Sequence, residues 1–175
     1  MARDAQGAGV FQGIHRFLEK RGPMEYQMVI FNLAREHYAV DIAAVESIIK
    51  IQTVTKLPRA PQFVEGVINL RGKVLPIIDL RKRFGLEAEA ATKDSRIVVV
   101  HMNALEVGMI VDSVSEVVSI ANEVIEPPSP IVTTVDSAFI RGIAKVGERL
   151  VILLDMGHVL SQQEQASLQS IPVVV

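Results

Sequence analysis

The chain has 175 residues, of which 49% are hydrophobic and 5% aromatic, so one ordinary domain or two small ones would be built around an aliphatic core. Its net charge of −2 gives no basic excess, which argues against a nucleic-acid partner, because neutralising phosphates supplies most of the affinity of such proteins. It contains no cysteine, which excludes disulfides, thiolate nucleophiles and zinc–cysteine sites.

Residues 1–23 form an N-terminal extension, and the apolar residues in it recur at helical spacing. They predict a short amphipathic helix that ends at Gly22-Pro23. The apolar residues of this predicted helix are Val10, Phe11, Ile14, Phe17 and Leu18. We expect this helix to pack on its own domain, with docking to a partner as the alternative. No apolar run is long enough to span a bilayer or resembles a signal peptide, so the chain is predicted to be cytoplasmic.

From residue 26 onward the chain consists of short runs rich in valine and isoleucine, separated by turn residues. Runs of this length and spacing predict an all-β fold, either a barrel or a sandwich. The predicted strands cover residues 26–33, 45–51, 64–70, 73–79, 96–102, 105–111, 114–120, 139–146 and 149–155.

An internal repeat runs through these predicted strands. The segment 63–66 (FVEG) matches 139–142 (FIRG) at an offset of 76 residues, and Asp79 meets Asp155 at the same offset. Upstream, the strand segments align at an offset of 69, and an insertion around 131–137 in the second copy reconciles the two values. The chain is therefore predicted to contain two copies of one small β-unit.

Each copy has about 65 residues, a size at which a domain buries too little of its surface to be comfortably stable alone. We therefore expect the two units to pack together and share a core. The predicted first unit covers 24–86, a polar connector covers 87–94 and the second unit covers 95–160. Residues 161–175 form a C-terminal tail that either adds to a sheet edge or is disordered.

Asp79 and Asp155 occupy equivalent positions in the two copies. Paired carboxylates across a pseudo-twofold axis suggest an acid hydrolase, but neither aspartate is followed by the Thr-Gly or Ser-Gly of aspartic proteases. Each ends a predicted strand and precedes a predicted helical turn, over 80–84 and 156–160. An aspartate there accepts hydrogen bonds from free backbone donors, so structural helix caps are favoured over catalysis.

No other constellation of catalytic or ligating residues is evident. The four histidines lack the spacing of metal ligands, and no glycine-rich phosphate loop is present. We therefore predict no metal, no cofactor and no enzymatic activity. An RNA-binding barrel is a further alternative, which the net charge and the scarcity of aromatic residues disfavour.

Arg71 lies in the predicted tight turn Asn69-Leu-Arg-Gly72, where the second copy has Gly147. The surrounding string 63–84 (FVEGVINLRGKVLPIIDLRKRF) closely resembles the signature of the CheW-type chemotaxis coupling proteins. Further similarities lie at 38–42 and 108–117, and the resemblance covers about residues 24–160.

The resemblance implies two packed, five-stranded SH3-like β-barrels that act as a non-enzymatic adaptor. Its partners would be the regulatory domain of a chemotaxis-type histidine kinase and the cytoplasmic hairpin tips of chemoreceptors. The protein would join arrays or rings beneath the membrane without inserting into it, and would help to set kinase activity. The same fold could instead serve surface motility or gene regulation.

The resemblance also assigns a receptor-binding groove, residue by residue. Its members would be Val45, Ser47, Gly66, Asn69 and Arg71. The family often has a glutamate where this chain has Ser47, suited to pair with the turn arginine. The neighbouring Glu46 is expected to point to the opposite face of its strand, which would leave Arg71 without that partner.

Kinase contact is expected from apolar residues at the end of the first unit. The candidates are Ile49, Ile51 and Val54, which alternate or cluster with polar residues over 49–54. A place in the ordinary core explains the same pattern equally well.

Overall fold

The computed structural model describes residues 25–128 and 137–170, and this part of the chain forms eleven strands, two short α-helices and three single-turn 3-10 helices. In chain order they are β1 (Glu25–Leu33), β2 (Glu36–Asp41), β3 (Val45–Lys50), β4 (Val64–Leu70), β5 (Lys73–Asp79), α1 (Leu80–Arg83), β6 (Arg96–Met102), β7 (Leu105–Val111), β8 (Ser113–Ala121), β9 (Ile125–Glu126), β10 (Ile140–Val146), β11 (Arg149–Leu154) and α2 (Gln162–Gln169). The predicted all-β class is confirmed. The helix predicted around 10–18 lies outside the described residues. None of the described helices is long and apolar enough to cross a membrane.

The strands form two sheets. The six-stranded sheet has the order β8-β1-β2-β11-β10-β9, and the five-stranded sheet has the order β3-β6-β7-β5-β4. Most neighbours are antiparallel, but β2 pairs with β11 and β5 pairs with β7 in parallel. The first sheet exceeds the predicted five strands because the two-residue β9 adds to its edge.

The registers of the strands confirm the internal repeat. In the β4–β5 hairpin the pairing shifts by one residue between Val64 and Gly66, and in β10–β11 it shifts between Ile140 and Gly142. The parallel pairs are also equivalent, since β5 meets β7 and β11 meets β2 at positions related by the same two offsets. The two copies therefore share their irregularities as well as their strands.

The division of the chain between the sheets differs from the predicted contiguous units at 24–86 and 95–160. The first hairpin of each copy lies in the sheet of the other, because β1 and β2 pair with β8 and β11, while β6 and β7 pair with β3 and β5. The repeat revealed which segments are equivalent. It carried no information on which copy supplies the strand partner, since that pairing is non-local.

One large core cluster contains residues from both sheets, as the expected sharing of a core requires. Four aromatic rings run through it: Phe31 and Tyr38 lie 6.0 Å apart, Tyr38 and Phe84 lie 5.6 Å apart, and Phe84 and Phe139 lie 5.6 Å apart. Most of the remaining cluster is aliphatic and almost completely buried. Burial of this extent, at roughly 25 cal/mol per Å² of apolar surface, binds the two exchanged units into one body.

The C-terminal region differs from the predicted tail, because part of it folds as α2. The helix begins at a capping box, in which the Ser161 Oγ accepts a hydrogen bond from the Glu164 N–H and the Glu164 carboxylate accepts one from the Ser161 N–H. Leu168 and Gln165 are buried against the sheets. Residues 171–175 lie outside the described residues.

Candidate functional site

The β4–β5 hairpin presents the signature arginine in a two-residue turn. Leu70 pairs with Lys73, which leaves Arg71 and Gly72 at the tip with φ values of 54° and 86°. Positive φ at both central positions is the turn that best matches the twist of a hairpin. The Asn69 side-chain oxygen accepts a hydrogen bond of 2.9 Å from the Gly72 N–H and stabilises the turn. The guanidinium of Arg71 is thus carried on an exposed tip.

The fold does not require an arginine at this tip. In the equivalent β10–β11 turn the position is held by Gly147, with φ 63°. A residue with a Cβ is disfavoured in this conformation by about 1–2 kcal/mol. The equivalent turn thus shows that a glycine is accepted at this position, and positive φ values also occur at Ala34, Arg59 and Asn103.

Glu46 lies in a β-bulge, where Val45 pairs with Val100 and Ser47 pairs with Val99. Its pKa is lowered, first by a hydrogen bond with Glu106 and to a smaller extent by the charges of nearby cations that include Arg71. Glu46 is therefore within electrostatic reach of Arg71, although simple alternation along the strand suggested that it would be unavailable. In the described ranges, no carboxylate oxygen lies within 4 Å of the Arg71 guanidinium.

Glu46 belongs to a line of charges across the exposed face of the five-stranded sheet, which we call the charged row: Glu46, His101, Glu106 and Lys73. The His101 Nε2 lies 2.9 Å from Glu46 and 3.9 Å from Glu106, and the Lys73 Nζ lies 3.5 Å from Glu106. The pKa of Glu106 is raised, first by its hydrogen bond with Glu46 and then by burial. His101 and Glu106 face each other across the β6–β7 hairpin, a pairing that the predicted strands 96–102 and 105–111 already implied.

The remaining predicted groove residues lie at different depths. Val45 is partly buried and packs against the main core, and Ser47 is partly buried beside it on β3. Gly66 is buried, and a Cβ built on it would lie 2.0 Å from the backbone oxygen of Thr55. Gly66 thus has a packing function, whereas Asn69 and Arg71 are exposed.

The three residues predicted to contact a kinase, Ile49, Ile51 and Val54, are partly buried. All three pack against a smaller core cluster on the five-stranded sheet. The most exposed large apolar residue of β3 is Ile48, at 40% exposure, which the sequence patterns did not single out.

The two equivalent aspartates have local hydrogen-bonding roles. Asp79 is the N-cap of α1 and its Oδ1 accepts a bond of 2.9 Å from the Arg81 N–H, while burial raises the pKa of its carboxyl. The Asp155 Oδ1 accepts a bond of 3.0 Å from the Gly157 N–H. Residues 156–158 form a hydrogen-bonded turn, in which the His158 N–H donates a bond of 2.9 Å to the Asp155 carbonyl. No α-helix forms over 156–160, so Asp155 caps a turn rather than a helix.

Comparison with known proteins agrees with this architecture. The family model of the CheW-like domain matches residues 27–164. Chemotaxis protein CheW of Klebsiella aerogenes is 34% identical over 145 residues, which cover 83% of this chain and 87% of that protein. Chemotaxis protein CheW of Bacillus subtilis is 35% identical over 141 residues, which cover 81% and 90%.

A solved structure shows the same fold. The crystal structure of the scaffolding protein TtCheW from Thermoanaerobacter tengcongensis superposes with a TM-score of 0.74 at 44% sequence identity, covering 81% of this chain and 92% of that one. The range of the family model contains both exchanged halves of the fold and the Arg71 hairpin. The chain therefore belongs to the CheW-like domain family.

Proposed function

We propose that this chain is a non-enzymatic adaptor of a chemotaxis-type pathway, which couples chemoreceptor cytoplasmic tips to a histidine kinase and helps to set the kinase's activity. The similarity to chemotaxis proteins and to a scaffolding protein supports the general role. The proposed receptor contact rests on the observation that Arg71 is exposed and has a backbone conformation that glycine adopts more easily.

The receptor surface is proposed to centre on Arg71 and Asn69 at the hairpin tip and to extend across β6 and β7 to Val45 and Ser47 on β3. A guanidinium offers five donors in a planar fork, which suits carboxylate and carbonyl groups on a partner helix. The apolar part of the surface would receive helix side chains at i, i+3 and i+4 spacing. Gly66 would contribute by allowing the close approach of the Thr55 backbone to β4.

The kinase surface is proposed at β3 and the segment after it. Ile49, Ile51 and Val54 pack there against the smaller core cluster, and Ile48 is exposed. Strand β3 is an edge strand, and such a strand offers both apolar side chains and free backbone groups to a partner. The proposed kinase surface shares β3 with the receptor surface, whereas the Arg71 tip lies on the β4–β5 hairpin at the other edge of the sheet.

Arg71→Gly and Arg71→Glu test the receptor contact. Both variants should bind a receptor signalling fragment more weakly than wild type while still binding the kinase regulatory domain, as measured by calorimetry. Arg71→Gly should also unfold at an equal or higher denaturant concentration, because it relieves up to about 1–2 kcal/mol of backbone strain.

Arg59→Gly is the matched control, because Arg59 is also exposed with a positive φ of 65°. This variant should bind both partners normally. Wild-type receptor binding by both Arg71 variants would refute the assigned contact, and failure of the wild-type chain to bind either partner at tens of micromolar would refute the adaptor role.

A further inference from the structure

Three potential metal ligands converge on one face of the five-stranded sheet. They come from adjacent strands: Glu46 from β3, His101 from β6 and Glu106 from β7. One ligand atom from each lies within 4.8 Å of the other two. The His101 Nε2 is 2.9 Å from the Glu46 Oε1 and 3.9 Å from the Glu106 Oε2. Tetrahedral coordination with bonds of about 2.0–2.2 Å places ligand atoms at separations close to these, so small rotamer changes suffice.

The backbone holds these side chains in place. His101 and Glu106 are directly opposed in the β6–β7 ladder, and the bulge in β3 puts Glu46 beside His101. The Glu106 side chain is only 17% exposed, whereas those of His101 and Glu46 are 53% and 40% exposed. One carboxylate thus forms the floor of the cluster while the other two ligands remain accessible to an ion from solvent.

Two carboxylates that converge within 4.8 Å on one imidazole concentrate negative charge on this face of the sheet. A divalent cation bound between them would neutralise both carboxylates. Metal binding at such a site is coupled to deprotonation of its ligands.

The repeat shows that the sheet itself does not require these residues. The equivalent positions in the six-stranded sheet are Ser115, Asn32 and His37, where the Asn32 Oδ1 and the His37 Nδ1 lie 2.7 Å apart. That arrangement has the same cross-strand geometry without any carboxylate. The imidazole flanked by two carboxylates is therefore an addition peculiar to one side of the fold.

We propose that Glu46, His101 and Glu106 bind one divalent ion of the zinc type. Zn²⁺ accepts both imidazole nitrogen and carboxylate oxygen as ligands, and three protein ligands leave a fourth position for water. Mg²⁺ and Ca²⁺ prefer sites with more oxygen ligands and no imidazole. The proposal does not depend on the adaptor function.

Lys73 is the cation that competes for this position. Its Nζ lies 3.5 Å from Glu106, but its side chain is 72% exposed and can turn into solvent when an ion binds. Removing its charge should therefore strengthen metal binding. Arg71, which acts on Glu46 only through its more distant charge, should have a smaller effect.

Titration of the full chain with Zn²⁺ at pH 7.4, followed by calorimetry, tests the proposal. We expect one ion per chain, at least tenfold weaker binding for His101→Gln and for Glu46→Gln, and tighter binding for Lys73→Ala. Co²⁺ should give a visible absorption band of a four- or five-coordinate site that His101→Gln abolishes. Mg²⁺ at the same concentration should give no specific heat.

His158→Gln is the matched control, since His158 lies 2.8 Å from the carboxylate of Asp155 and, within the described part of the chain, has no second acidic residue within 4 Å. This variant should bind Zn²⁺ like wild type. Absence of binding by wild type, or binding that survives both ligand substitutions, would overturn the proposal. An equal loss in His158→Gln would also overturn it. The substituted side chains are largely at the surface, and an unchanged melting temperature without metal will confirm that the variants fold.

Discussion

Arg83 offers the sharpest test of how the two exchanged units are held together. Its guanidinium lies 4.8 Å from the centre of the Phe63 ring and 4.9 Å from the centre of the Phe139 ring. These phenylalanines are equivalent in the repeat, so the cation lies close to the pseudo-twofold axis. The Arg83 Nε also donates a bond of 2.8 Å to the Val159 carbonyl, and the guanidinium pairs with Glu164 of α2 at 3.0 Å.

The loss expected for Arg83→Ala follows from these contacts. Each cation–π contact contributes about 0.5–1 kcal/mol at a partly exposed site. The charged hydrogen bond to the Val159 carbonyl contributes about 1.5–3 kcal/mol, and the ion pair with Glu164 adds up to about 1 kcal/mol. Because such terms overlap, we expect a loss of about 3 kcal/mol from a total free energy of unfolding of roughly 5–15 kcal/mol.

Urea unfolding of wild type, Arg83→Ala, Arg83→Lys and Glu164→Gln measures this loss. The lysine variant keeps a positive charge near both rings but lacks the planar fork, so its loss should be about half that of the alanine variant. Glu164→Gln should lose less than about 1 kcal/mol. The slope of the unfolding curve should not change. A loss below about 1 kcal/mol for Arg83→Ala would refute the view that this cation joins the units.

Three further variants test other parts of the fold. Arg81→Ala should lower the free energy of unfolding in urea by about 2–4 kcal/mol, because it leaves the Asp112 carboxylate and the Glu87 carbonyl without their buried donor. If Arg81 acted only as a surface residue, almost no loss would be measured. Asp79→Asn keeps the cap but removes a charge that burial disfavours. Because the pKa of Asp79 is raised, the wild-type protein loses stability as the pH rises from about 4 through that pKa. The asparagine variant should therefore gain stability relative to wild type over this pH range. A difference that does not change with pH would contradict the reasoning. Gly66→Ala should lower the free energy of unfolding by more than about 3 kcal/mol in thermal or urea unfolding. Gly72→Ala should lower it by only about 1–2 kcal/mol, because a Cβ at that position lies within 4 Å of no atom. Equal losses would count against the packing argument.

Several features of the fold follow directly from the sequence. Alternating and continuous apolar runs predicted most strands, and the repeated Phe-x-x-Gly segments identified two equivalent hairpins that have the same bulge in the structure. Ser161 and Glu164 have the sequence spacing of a capping box, although the polar composition of that region led to the prediction of a tail. Local signals of this kind need no knowledge of distant partners.

The exchange of hairpins and the location of the charged row could not be predicted in the same way. Strand β2 is short, and its burial depends on β11, which lies more than a hundred residues away in the chain. Glu46 reaches His101 because a bulge in β3 interrupts the alternation that a regular strand would have. Both features depend on non-local pairing and on a backbone irregularity, and neither leaves a periodic pattern in the sequence.

The repeat provides an internal comparison that separates folding from function. Where both copies have the same residue, as at Phe63 and Phe139, the common structure explains it through packing. Where the copies differ, the same fold accepts both residues. The fold alone therefore cannot explain the residue that is energetically less favourable at that position. Arg71 replaces a glycine at a strained turn, and Glu46 introduces a second carboxylate beside Glu106. These departures from symmetry lie within electrostatic reach of each other, on the side of the molecule where we place partner contact and metal binding.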